Sequence, residues 1–167
     1  HLSAILVAIT AVVYLPHIGN EFVNLDDPGL IYNNPAVQRI NGQTLWHIAT
    51  TYDPELYVPL TLFTYQLEYA LFGPNPWIFH FTNLVLHIFN IVLVFTLFRR
   101  FTGLKWPAFF GAALFALHPI NTETVMWASA RKDLLSSTFF IVALFGYDRF
   151  CEDRETKWYK LSVVAFL

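Results

Sequence analysis

PWIFHFTNLVLHIFNIVLVFTLF, from Pro76 to Phe98, is the stretch on which the fold turns. It contains no Asp, Glu, Lys or Arg, and about 20 such residues in a helix cross the roughly 30 Å of hydrocarbon in a bilayer. Its polar residues form a pattern: His80, Asn83, His87 and Asn90 recur at i, i+3, i+7 and i+10, the spacing of a helix-packing seam. Lipid would not tolerate that stripe, so it must face other helices or a cavity. Hydrogen-bond glue between helices is the plainer reading of it, and a set of ligands the sharper one.

Further apolar runs flank this span. Leu2 to Ile18 precedes it, and Trp106 to Leu117, Leu134 to Tyr147 and Tyr159 onward follow. Hydrophobic residues make up 56% of the chain and charged residues 13%, against about 25% charged in soluble domains. The expectation is an all-α, polytopic transmembrane helical bundle, a multi-pass integral membrane protein. Cys151 is the single cysteine, which excludes a disulfide framework and a cysteine zinc site. The chain starts on His1 and ends inside an apolar run, so residues 1–167 read as part of a larger transmembrane domain. A signal peptide is the rival reading of Leu2 to Leu15, but no basic segment precedes it and no small-residue cleavage pattern follows.

Between the first two spans lies a long loop, residues 19–75, with amphipathic helices expected over Thr44 to Tyr52 and Pro59 to Phe72; Pro59 suits a first helical turn. Charge decides whether the second of these crosses the membrane. If it rests in the interface, one side receives Arg99, Arg100, Lys105, Arg149, Arg154, Lys157 and Lys160, and the other only Arg39, Arg131 and Lys132, as the positive-inside rule requires. Counting it as a span spoils that bias. The long loop is therefore the first outer loop and carries interfacial helices. Glu21, Asp26, Asp27, Asp53, Glu55, Glu68, Glu123 and Asp133 then fall on the outer side, so the polar chemistry belongs there. No Walker-type or Rossmann glycine signature is present, and nothing points to nucleic acid.

Two groups of residues carry candidate chemistry. Leu25-Asp26-Asp27-Pro28 sets adjacent carboxylates in the outer loop, where ionisable groups at a membrane default to functional candidates, although Asp27-Pro28-Gly29 is also good turn chemistry. The second group runs from His118-Pro119 through Glu123 and Trp127 to Arg131-Lys132-Asp133. Trp106 to Leu117 rises only about 18 Å as a helix, so His118 should lie below the outer surface, where irregular backbone must be satisfied by protein or by a watery cavity. If Thr122 onward is helical, Glu123, Trp127 and Arg131 share one face. Arg131-Lys132-Asp133 is otherwise an interfacial anchor.

These residues also carry a family resemblance. Phe22-Val23-Asn24-Leu25-Asp26-Asp27-Pro28, Asn34-Pro35, Pro59-Leu60-Thr61, Leu71-Phe72-Gly73, Asn75-Pro76 and Phe115-Ala116-Leu117-His118-Pro119, with Glu123, Val125, Trp127 and Arg131-Lys132-Asp133, resemble the membrane domain of the tetratricopeptide-repeat-containing GT-C glycosyltransferases, relatives of the protein O-mannosyltransferases. The chain departs from that pattern at Val58, Asn121 and Ala130. The resemblance implies transfer of a sugar, typically mannose, from a polyprenyl (dolichyl) phosphate to a protein Ser or Thr hydroxyl on the outer or lumenal face, with a carboxylate of the first outer loop as general base. Here that is Asp26 or Asp27. Arg131 and Lys132 are the paired outer cations and would hold the donor phosphate, with His118, Glu123 and Trp127 orienting either the acceptor or the second carboxylate. A divalent metal on Asp26, Asp27 and His118 is left open. The membrane would be the plasma membrane of a bacterium or the endoplasmic reticulum of a eukaryote. A transporter or channel, and a non-catalytic anchor for a downstream repeat domain, are the competing classes.

Overall fold

The computed structural model describes residues 1–52 and 56–167; Asp53 and Glu55, expected among the outer acids, lie outside the described residues. It is all-α, with no strand among those residues. Helix α1 spans Leu2–Tyr14 and runs into a tight turn at Leu15–His17. The outer loop folds as a wide helical turn, Pro28–Tyr32, and short helices α2 (Pro35–Gln38) and α3 (Gly42–Thr50), followed by α4 (Pro59–Phe72). The long α5 (Pro76–Thr102), α6 (Lys105–Leu117), α7 (Ile120–Met126), α8 (Arg131–Asp153) and α9 (Thr156–Phe166) complete the chain.

Local chemistry sets the ends. The Asn75 side chain accepts from the Trp77 amide, which caps α5 with Pro76 in the first turn, where its missing N–H costs nothing. Gly103 closes the same helix at φ +68°, a left-handed conformation open to glycine without steric cost. Asn41 and Thr44 form a reciprocal capping box on α3. The expected second span thus extends to Thr102, and the expected fourth, Leu134 to Tyr147, grows in both directions to Arg131–Asp153.

Helix α5 is the central post, packed against α1, α6 and α8, while α8 and α9 form a hairpin. Ala108, Ala112 and Ala116 recur every four residues along α6 and are buried with Leu6, Ile91, Phe95 and Ile141, so small side chains bring α6 close to α5 and α1. A second apolar cluster sits at the N-terminal end of α5: Ile31, Val37, Ile48, Leu62, Tyr65 and Phe79 bind the loop helices onto its start. Pro76–Thr102 and residues 128–153 are long and apolar enough to cross a membrane, and Val85, Phe89, Phe98, Phe139, Phe140 and Leu144 are exposed on them. A face so apolar suits contact with lipid or with further helices.

Candidate functional site

The carboxylate pair lies at the mouth of the wide turn, and its members differ in environment. Asp27 is fully buried. Its Oδ2 accepts from the Val23 amide at 2.8 Å, and its Oδ1 accepts from the Ser129 amide at 3.0 Å, 102 residues away in sequence. Asp26 is exposed, and its backbone carbonyl accepts from Leu30 N–H at 2.9 Å to start the turn. One carboxylate therefore holds the loop while the other stays available.

The stripe on α5 resolves into interhelical bonds. Asn83 Nδ2 donates to the Trp127 and Ala128 carbonyls, at 2.9 and 3.4 Å. His87 Nε2 meets the Ala116 carbonyl at 3.1 Å, and Asn90 Nδ2 donates to the Leu134 carbonyl at 2.9 Å. Asn90 Oδ1 accepts from Thr138. His80, at the head of the stripe, is buried beside a cavity of about 10 Å³ lined in part by Tyr14, Leu84 and Val125, room for about one water.

The face expected to carry Glu123, Trp127 and Arg131 does not exist. Helix α7 ends at Met126, Trp127 is extended (φ −98°, ψ 121°) and a tight turn, Ala128–Ala130, leads into α8. The carbonyls of Trp127 and Ala128 are taken by Asn83, and that of Ala128 also by the Tyr65 hydroxyl at 2.8 Å, so bonds to other elements replace continuation of the helix. Glu123 is left exposed and Trp127 half-buried.

Arg131, expected beside a donor phosphate, has a fully buried side chain. Nε donates to Asn83 Oδ1 at 2.9 Å, Nη1 to Thr64 Oγ1 at 3.0 Å and Nη2 to the Phe79 carbonyl at 3.1 Å. Nη2 also pairs with Glu68 Oε2 at 2.8 Å, and the guanidinium lies over the Tyr65 ring, 4.6 Å from its centroid. Burial pushes the Tyr65 phenol well above its ordinary value, with Arg131 pulling weakly the other way, so the hydroxyl stays protonated and can donate. Glu68, Thr64 and Tyr65 were not singled out from the sequence. Their signal was the spacing Thr61, Thr64, Tyr65, Glu68, one polar face of α4.

Lys132, the next residue, is half-buried and lines a groove of about 550 Å³ with Pro59, Leu60, Leu135, Phe139, Phe140 and Val164. The groove is walled by α4, α8 and α9 and is apolar apart from the lysine and a few hydroxyls. His118 is exposed, its Nδ1 accepting from the Ile120 amide at 3.2 Å. No hydrogen bond or ion pair joins His118 or Glu123 to either aspartate. Among the described residues no three His, Cys, Asp or Glu side chains gather as metal ligands. Asp26, Asp27 and His118 are therefore not brought together as a metal site, and both Asp27 oxygens already serve backbone amides.

The structure is thus an all-helical fold with an exposed carboxylate at Asp26 and a groove-lining lysine at Lys132. Residues 54–167 match the family described as dolichyl-phosphate-mannose-protein mannosyltransferase, and the chain belongs to that family. Human protein O-mannosyl-transferase TMTC1 is 34% identical over 158 residues, covering 88% of this chain and 18% of that protein. Mouse protein O-mannosyl-transferase TMTC3 is 36% identical over 112 residues, 66% of this chain and 12% of that protein. Human protein O-mannosyl-transferase TMTC4 is 30% identical over 162 residues, 84% and 22% respectively. The chain thus spans about a fifth or less of the length of these relatives. No solved structure matches it.

Proposed function

We propose that this chain supplies part of the active site of a protein O-mannosyltransferase that takes mannose from a polyprenyl phosphate and passes it to a Ser or Thr hydroxyl on the outer or lumenal face. The observation that carries this reading is the division of labour in the aspartate pair: Asp27 is anchored to the Ser129 amide, so the exposed Asp26 sits by the turn that leads to Lys132.

Asp26 acts as general base. A hydroxyl is a weak nucleophile near neutral pH, so a carboxylate within hydrogen-bond reach accepts its proton as the oxygen attacks C1 of the sugar. The C1–O bond to phosphate breaks on the opposite side, with inversion, and the phosphate leaves as an anion. Lys132 stabilises that anion, and the isoprenoid tail lies in the groove against Leu135, Phe139 and Phe140. Asp27 is unsuited to the base role, because both of its oxygens are engaged away from solvent. His118, Glu123 and Trp127 are kept as acceptor-side groups. The chain crosses the membrane several times, α1, α5, α6, α8 and α9 being the spans and α4 resting at the outer surface.

An ion path along the α5 stripe is disfavoured, since Asn83, His87 and Asn90 are already bonded to neighbouring helices. Asp26→Asn in the full-length protein, assayed for mannose transfer from a lipid phosphate donor, is expected to lose about 10²- to 10⁴-fold in kcat, the usual contribution of a general base. Full transfer by a normally expressed Asp26→Asn protein removes the assignment, and absence of transfer by the parent protein favours a membrane anchor.

A further inference from the structure

We propose that Arg131 is a positioning residue: the buried Arg131–Glu68 pair, together with the Asp27 clamp, sets the spacing between the Asp26 carboxylate and the Lys132 ammonium, and touches neither donor nor acceptor. This rests on Asp26 and Lys132 being the base and the phosphate-binding cation.

Residues 127–131 are tied to three separate elements. The outer loop holds the Ser129 amide through Asp27. Helix α4 holds the Ala128 carbonyl through Tyr65 and the Arg131 guanidinium through Thr64 and Glu68. Helix α5 holds the Trp127 and Ala128 carbonyls through Asn83, and the guanidinium through Asn83 and the Phe79 carbonyl. Arg131 joins α4, α5 and α8, and its rigid planar fork donates from three separate nitrogens, whereas the three donors of a lysine radiate from one. With no surface exposed, it cannot meet a phosphate oxygen unless this knot is dismantled.

Lys132 follows directly on Arg131, and Asp26 directly precedes Asp27. Since consecutive Cα atoms are about 3.8 Å apart and Asp27 is bonded to the Ser129 amide, three residues before Lys132, the backbones of Asp26 and Lys132 are held within roughly 20 Å of each other. A lipid phosphate on Lys132 and an acceptor hydroxyl on Asp26 can then share one C1 centre. Small misplacements of reacting groups cost rate steeply, so loosening the knot lowers turnover while Lys132 still binds donor.

The test measures kcat and donor KM separately in the full-length enzyme, with a mannosyl polyprenyl phosphate as donor. Arg131→Met and Arg131→Lys are both expected to lower kcat at least tenfold with donor KM within about twofold of the parent. Glu68→Gln should shift kcat in the same direction, and Glu68→Gln combined with Arg131→Lys should be no worse than Arg131→Lys alone, as expected for one coupled unit. A tenfold rise in KM in Arg131→Met that Arg131→Lys restores would establish direct phosphate contact and overturn the proposal. So would parental constants in Glu68→Gln. Where Arg131→Met does not accumulate in membranes, Glu68→Gln and Arg131→Lys decide. Asp26→Asn and Lys132→Ala run in parallel report on the underlying reading: full activity in both would show that the assigned base and cation are wrong, whatever Arg131 does.

Discussion

Asp26 and Asp27 are chemically identical and sequence neighbours, yet one is buried under two amides and the other faces water. The same split separates Arg131 from Lys132. Each pair offers one member to the fold and one to solvent, so charge counted along the chain overstates the cations available to a substrate. Lys132→Ala is expected to raise donor KM about tenfold, in line with about 1.5–3 kcal/mol for hydrogen bonds to charged groups, while acceptor KM holds; steady-state kinetics with each substrate varied checks this. Asn90→Leu removes bonds to Leu134 and Thr138 and is expected to cost about 0.6 to 1.7 kcal/mol, the range for polar contacts between membrane helices, read as a lower melting temperature in detergent. Asn83→Leu should cost more, because it also leaves Arg131 Nε buried without its acceptor.

Helices that pack through small residues have the least slack. Gly146 on α8 lies against α9, where an added Cβ would come within 3.1 Å of the Ser162 nitrogen and the Trp158 oxygen. Backbone cannot yield as a flexible side chain can, so Gly146→Leu is expected to force the α8–α9 hairpin apart at a cost of about 1–3 kcal/mol. Faster proteolysis near the Arg154 turn, with α5 unaffected, is the measurement. The hairpin also forms one wall of the groove, so the same variant should weaken donor binding. At the other end of α5, Arg100 pairs with Asp148 and Glu152 on α8; these partly exposed pairs hold register more than they add stability.

Orientation in the bilayer is a property of the assembled chain and follows from where its cations fall. The proposed orientation, with Arg99, Arg100, Lys105 and the residues around Arg154 on the inner side, predicts that Cys151, which is exposed, faces the cytoplasm. In sealed vesicles carrying this chain with its outer face outward, a membrane-impermeant maleimide should leave Cys151 unlabelled until detergent is added. Immediate labelling would reverse the topology and put Asp26 on the wrong side for the proposed reaction.

Much of the helical layout was legible in the sequence because apolar run length and charge asymmetry are one-dimensional signals: α4 matches the expected Pro59 to Phe72, and α6 begins one residue before the expected Trp106. The α5 stripe was legible as a seam for the same reason, since helical periodicity is local. What the sequence could not supply was partner choice over long separations. Whether Asp26 or Asp27 is free depends on the Ser129 amide 102 residues away. Whether Arg131 meets solvent depends on Glu68 and Asn83 on two other helices, and the break at Trp127 arises from side chains of α4 and α5 competing for its neighbouring carbonyls. The helices come from composition along the chain, whereas the partners of the charged residues are fixed only when distant segments are packed together, because burial and hydrogen bonding are properties of neighbours in space.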